Sequence, residues 1–238
     1  MAVNKHLFRW MYVGPFLRTV EYFERTLNQK VLPSFDSISH EAEQVETEAF
    51  ERLGKSVDPE WYDPADYFEA ARDEGIDFYI MANGMKQGIT NLFTAGLFHL
   101  FEQWFLKIYR QELVSFREEP KPNLLKLAIA QDRLLRGNGI DIQTFSSWRT
   151  VDELRLVANT IKHADGASCK ELKKLRPDLF VSPLTKDEGV EIDLVVRREV
   201  FHPLAGEDLY VSADEFGKYA EAVKHFADEL AKAFDTKA

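Results

Sequence analysis

Residues 77–116 read DFYIMANGMKQGITNLFTAGLFHLFEQWFLKIYRQELVSF, and this stretch decides the fold. Apolar side chains recur every three or four positions, through Phe78, Met81, Met85, Ile89, Leu92, Phe93, Leu97, Phe101, Trp104, Phe105 and Ile108, with no proline among them. That is the period of a helix. A helix of about 40 residues is close to 60 Å long, too long to bury its own apolar surface, so it predicts a bundle in which other helices cover a long central one. Gly84, Gly88 and Gly96 are where it is expected to kink or to admit a close neighbour.

Working outward, residues 7–30 carry Phe8, Met11, Tyr12, Phe16, Val20, Phe23 and Leu27 at helical spacing, with an expected interruption at Gly14-Pro15. Ser39 to Leu53 reads as a polar helix with a thin apolar stripe, ended by Gly54, and Asp63-Pro64 opens a short helix that runs to Arg72. Beyond Pro120 and Pro122, Leu124 to Leu135 is helical and stops at Gly137-Asn138-Gly139. Thr150-Val-Asp-Glu153 has the pattern of a capping box and starts a helix through His163, stopped near Gly166. Glu191 to Arg198 and Asp208 to Val211 read as two strands paired in a hairpin. Ser212-Ala-Asp-Glu215 opens a last amphipathic helix through Phe216, Tyr219, Val223, Phe226 and Leu230. The expectation is a mainly α protein: one domain over residues 1–238, a helical bundle with a long central helix and a small late β-hairpin.

Forty-five per cent of the 238 residues are hydrophobic and 29% charged, which supplies a core and excludes a disordered chain. No apolar run reaches the roughly 18 residues of a membrane span, and the N-terminus lacks signal-peptide order, so a cytoplasmic protein with no membrane partner is expected. The single cysteine, Cys169, allows neither an internal disulfide nor a cysteine zinc cage. The net charge of −10 argues against a general nucleic-acid coat, yet it is local. Between Asp36 and Asp77 stand 14 acids and 3 bases, an acidic helical elaboration at about 36–77, while the rest of the chain is nearly neutral.

The segment with most chemistry is Glu153-Leu-Arg-Leu-Val-Ala-Asn-Thr-Ile-Lys-His-Ala-Asp-Gly166. At helical spacing Val151, Leu154, Val157, Ala158 and Ile161 share one face, while Arg155, Asn159 and His163 form a ladder at i, i+4 and i+8 on another, with Lys162 beside it. Metal-free RNA cleavage uses such groups: an imidazole to exchange protons with the 2′-OH and the leaving 5′ oxygen, a cation for the phosphate, an amide to orient them. One helix holds only half of an acid/base pair, and a two-fold dimer would supply the other half. The plain alternative is a solvated helix face.

The segment resembles the motif helix of HEPN domains (higher eukaryotes and prokaryotes nucleotide-binding), especially those of plasmid- and defence-associated bacterial proteins. The family motif is an Arg followed after four to six residues by His, with a polar residue, often Asn, after the Arg. Asn159 and His163 match; the Arg position falls on Ala158, and the nearest arginine, Arg155, is one turn earlier. The resemblance is strongest from Thr150 to Gly166, with weaker support from Leu100-Phe-Glu102-Gln-Trp104 and from Pro203 to Ser212. It implies an all-α homodimer joined along the motif helices, often a metal-independent ribonuclease acting as a toxin or antiviral effector. The expected site is Arg155, Asn159, Lys162 and His163, with Glu102 facing the motif helix to hold Arg155 or His163. A basic patch of Lys170, Lys173, Lys174 and Arg176 is expected to bind RNA. No metal or cofactor is expected: His99 and Glu102 reverse the Glu-x-x-His order of di-iron bundles, and no phosphate-binding glycine loop follows a strand. Partners would be a second copy, RNA, and a cognate antitoxin or defence protein. Ala158 keeps a second reading open, a catalytically inactive module that binds a nucleotide, RNA or a protein; a helical scaffold with an incidental ladder is a third. The acidic segment is expected to lie away from the His163 face or to cover it as an RNA mimic.

Overall fold

The structure, a computed structural model, describes residues 5–56, 64–115, 125–183 and 208–237. Its helices are α1 (Lys5–Phe8), α2 (Gly14–Thr26), α3 (Ile38–Ser56), α4 (Pro64–Ile108), α5 (Leu127–Asn138), α6 (Trp148–His163), α7 (Ala167–Leu175) and α8 (Ala213–Lys237). Wide π-helical turns at Arg9–Val13, Leu27–Val31 and Tyr109–Leu113 extend α1, α2 and α4. The expected break at Gly14-Pro15 is absent. The π turn ends there, with Gly14 N–H bonded to the Arg9 carbonyl five residues back, so Pro15 enters the first turn of α2, where a missing N–H costs nothing.

The short helix at Pro64 and the long central helix are one element, α4, of 45 residues and about 67 Å. It runs through its glycines without interruption. At Gly96 a Cβ would stand 3.1 Å from Phe23 Cζ, so the glycine admits α2; at Gly75 it would meet the Ala42 carbonyl and Glu46 Cβ, both at 3.1 Å, so that glycine admits α3. The second half of α4 forms an antiparallel four-helix bundle with α2, α6 and α8, each neighbour running opposite to the next. Phe16 stacks on Trp104 and Phe23 packs on Phe93 between α2 and α4. Phe8 meets Phe234 and Lys224 pairs with Glu24 between the N-terminal helices and α8. At the centre Phe226 lies edge-on to Phe101, Trp104 and Phe105 and also touches Phe145 and Trp148. The expected stripe of α8, Phe216, Tyr219, Val223, Phe226 and Leu230, is buried throughout.

The first half of α4 leaves the bundle and pairs with α3 in an antiparallel hairpin, here called the arm, held by the Gly75 approach, Phe50 against Tyr67 and Phe68, and the Arg52–Glu74 ion pair at 2.6 Å. The described part of the acidic elaboration is this arm. Lys162 of α6 sits over Phe98, so about 30 Å of α4 separates that point from Asp77, where the acidic run ends.

Two elements differ from the sequence expectation. Glu191 to Arg198 lies outside the described residues, and Asp208 to Val211 is not a strand: Tyr210 N–H donates to the Leu179 carbonyl, while side-chain amides of Asn91 and Gln87 donate to the carbonyls of Leu209 and Val211. These polar groups of α4 take the place of a ladder partner. The box at Thr150-Glu153 does not form, because α6 begins two residues earlier and Glu153 is drawn to other partners. Of the box at Ser212-Glu215 the first half exists, Glu215 N–H donating to Ser212 Oγ at 3.1 Å. The helix expected at Leu124 to Leu135 is found at Leu127–Asn138, closed by Gly139 at φ 62°, a conformation glycine takes without strain.

Candidate functional site

The apolar face of α6 is buried as its spacing requires: Val151, Leu154, Val157, Ala158 and Ile161 are all at most 1% exposed. That leaves Arg155, Asn159 and His163 along the outside of the bundle, with Asn159 half-buried and Lys162 and His163 exposed. Arg155 is not free, since its Nε donates to Asp152 Oδ1 at 2.7 Å on the same helix. Lys162 Nζ lies 5.9 Å from the centre of the Phe98 ring. Among the described residues Asn159 and His163 meet no hydrogen-bond partner, so the amide and the imidazole are both presented to solvent. Ala158, in the place of the family's arginine, is fully buried; an arginine there would be driven into the core. Any cation at this site must come from Arg155 or Lys162.

α6 stops three residues before Gly166. Ala164 N–H bonds to the Thr160 carbonyl at 2.9 Å, and Ala164 has φ 52° and ψ −136°, a region L-residues rarely enter. The turn that follows sends α7 back alongside α6. Cys169, on the inner face of α7, donates to Asp165 Oδ1 at 3.3 Å, and burial and that hydrogen bond push its thiol up to about 11. An inert structural thiol results.

The basic patch divides. Lys170 and Lys174 are exposed on α7 and point away from the core. Lys173 is drawn inward, 3.7 Å from Asp165 and 5.2 Å from the centre of the Phe180 ring. Arg176, the last member of the expected RNA-binding set, is surrounded by acids. Its guanidinium holds Asp178 through two bonds of 2.9 and 2.7 Å, Glu153 at 2.5 Å and Glu215 at 3.1 Å. Tyr219 Oη donates to the same Glu153 oxygen at 2.7 Å. The hydrogen bonds to Asp178 do most to hold Arg176 charged against the cost of burial. Burial pushes the Glu215 carboxyl up, but the bonds from Arg176 and Lys218 outweigh it and leave it below the usual carboxylate range. Arg176 thus ties the end of α7 to α6 and α8.

Glu102 is half-buried on α4, but Arg155 is held by Asp152 and His163 by no described group, so the expected pairing with Glu102 does not form. Among the described residues no cluster of three His, Cys, Asp or Glu side chains has the placement of a metal site. A second polar join went unforeseen. Glu229 of α8 reaches the start of α6, accepting from the amide and hydroxyl of Ser146 at 2.8 and 2.9 Å and from those of Ser147 at 3.2 and 2.5 Å. It caps α6 from a neighbouring helix. Burial raises this carboxyl, and the four hydrogen bonds bring it below its ordinary value. Its only trace in the sequence is an acid between Phe226 and Leu230 on a buried face. No family model, curated protein or solved structure matches the chain, and no described helix is long and apolar enough to cross a membrane.

Proposed function

We propose that this protein is a HEPN-like endoribonuclease of toxin or antiviral-defence type, acting as a homodimer without a metal ion. The observation that carries the reading is the pair Asn159 and His163, unpartnered on the open face of α6 with Lys162 beside them. One imidazole takes the 2′-OH proton while O2′ bonds to phosphorus. The P–O5′ bond breaks, and the imidazolium of the second copy protonates O5′, leaving a 2′,3′-cyclic phosphate and a 5′-hydroxyl. Lys162, and Arg155 once released from Asp152, would balance the charge on the five-coordinate phosphorus. Lys170 and Lys174, both exposed on α7, would hold the flanking phosphates. The acidic arm, packed on α4 well away from Lys162, favours the remote placement of that segment over an RNA-mimicking guard.

The purified protein is expected to cleave single-stranded RNA in the presence of EDTA, giving cyclic-phosphate ends, with His163→Ala at least a hundredfold slower. Equal rates in the variant would remove His163 from the mechanism. A second reading, an inactive HEPN-like binding module, is favoured by the buried Ala158 and by the Arg155–Asp152 pair, which together leave the site short of a free arginine. Saturable RNA or nucleotide binding without turnover would decide for it.

A further inference from the structure

The arm carries an apolar face that no described element covers. Between Ile76 and Leu92, α4 sends Gln87 and Asn91 to the backbone at Leu209 and Val211, and large apolar side chains elsewhere on this stretch are left uncovered. Ile80 is 57% exposed, Met81 63%, Met85 58% and Leu92 49%. Met81, Met85 and Leu92 lie at i, i+4 and i+11, on one stripe, and Asp73 and Asp77 continue that stripe toward the N-terminus, both exposed. Isolated exposed apolar residues are ordinary; a stripe of long, flexible ones about 17 Å in length, with exposed acids at its N-terminal end, marks a docking surface.

The charge selects the occupant. The arm has ten acids and three bases among its described residues up to Asp77, with Glu43, Glu48, Glu51 and Glu69 also exposed. RNA and anionic lipid surfaces are repelled by it, and a second arm would bring a like charge of the same size. We propose that this face of α4 docks a basic amphipathic helix of a partner protein, its apolar side on Met81, Met85 and Leu92 and its lysines or arginines on Asp73 and Asp77. Methionines suit such a site because an unbranched thioether repacks around different apolar anchors. The inference is independent of the ribonuclease reading and uses none of its residues.

The test is fluorescence anisotropy of the intact protein with a labelled amphipathic helical peptide of leucine and lysine, about 20 residues long to reach from Leu92 to Asp73. Saturable micromolar binding is expected, weakened by added salt and at least tenfold by Met81→Ser/Met85→Ser, with the helical circular dichroism of that variant unchanged because both side chains are exposed. The same peptide with glutamate for lysine should not bind. Unchanged affinity in the double variant, equal binding of the glutamate peptide, or no saturable binding would each overturn the proposal. A dimer that shields Met81 and Met85 from peroxide, and dissociates in the double variant, would assign the face to a second copy instead. His163→Ala should bind the peptide as the wild type does, so loss of ribonuclease activity and loss of docking are separable.

Discussion

Ala164 stores strain one residue beyond His163. At φ 52° and ψ −136° its Cβ is crowded by its own backbone, while glycine enters that region freely. Ala164→Gly is therefore expected to raise stability by about 1 kcal/mol, read as an upward shift of the thermal midpoint, despite the added freedom of the unfolded chain. No change, or a loss, would mean that the turn is relaxed. The cations of α7 illustrate what one side chain can conceal. Lys170, Lys174 and Arg176 look alike in sequence, but only the first two are exposed, whereas three carboxylates surround the third. Arg176→Ala should cost about 2–3 kcal/mol by stranding Glu153 and Glu215, a figure reduced for the solvent that still reaches the group. Lys170→Ala with Lys174→Ala should leave the melting temperature unchanged and lower RNA affinity. The opposite pattern in melting and binding assays would reverse their roles. The sequence places these cations within seven residues of one another, but the capture of Arg176 depends on Glu153 and Glu215, 23 and 39 residues away.

At the scale of elements, each helix of the bundle is legible because its apolar face repeats with the helical period. Residues on α6 and α8 expected to be buried are buried. Starts and stops are less legible, since capping motifs compete with tertiary partners. Thr150-Glu153 has the right residues for a box, yet Glu153 gains more from Arg176 and Tyr219, and α6 is capped by Glu229 of α8. Glu229→Gln should lower stability by about 1–2 kcal/mol, because the neutral amide accepts these four hydrogen bonds less strongly; a melt unchanged from the wild type would show that the cap contributes nothing. The arm offers a sharper test. A side chain at Gly75 meets the backbone of α3, which has no rotamer to yield. Gly75→Leu should abolish hydrogen-exchange protection in α3 while leaving that of α6 intact, since α3 rests chiefly on α4. Protection lost equally in both helices would mean that arm and bundle unfold as one unit.

For the whole molecule, the polar joins between α6, α7 and α8 make stability depend on acid. Glu215 and Glu229 have folded-state values below that of the unfolded chain, so their contribution is full above the unfolded value near 4.5 and is lost as the pH falls through the folded values. The thermal midpoint should therefore hold from neutrality to about pH 5 and drop below about pH 4, less steeply in Glu229→Gln; a midpoint flat to lower pH would show the joins to be dispensable. The uneven charge has an architectural meaning, since the acidic run builds an arm beyond the end of the bundle and leaves the α6 face locally basic. The sequence by itself determined that the protein is helical, that a long apolar helix organises it, and that Arg155, Asn159 and His163 share one outer face, because these follow from a local period of 3.6 residues. Tertiary structure alone decided that Ala158 is closed to any larger side chain, that Arg176 is a structural tie, and that the Met81–Met85 face stands uncovered. Those outcomes depend on which distant side chains arrive at the same point. Spacing along one helix carries no record of them.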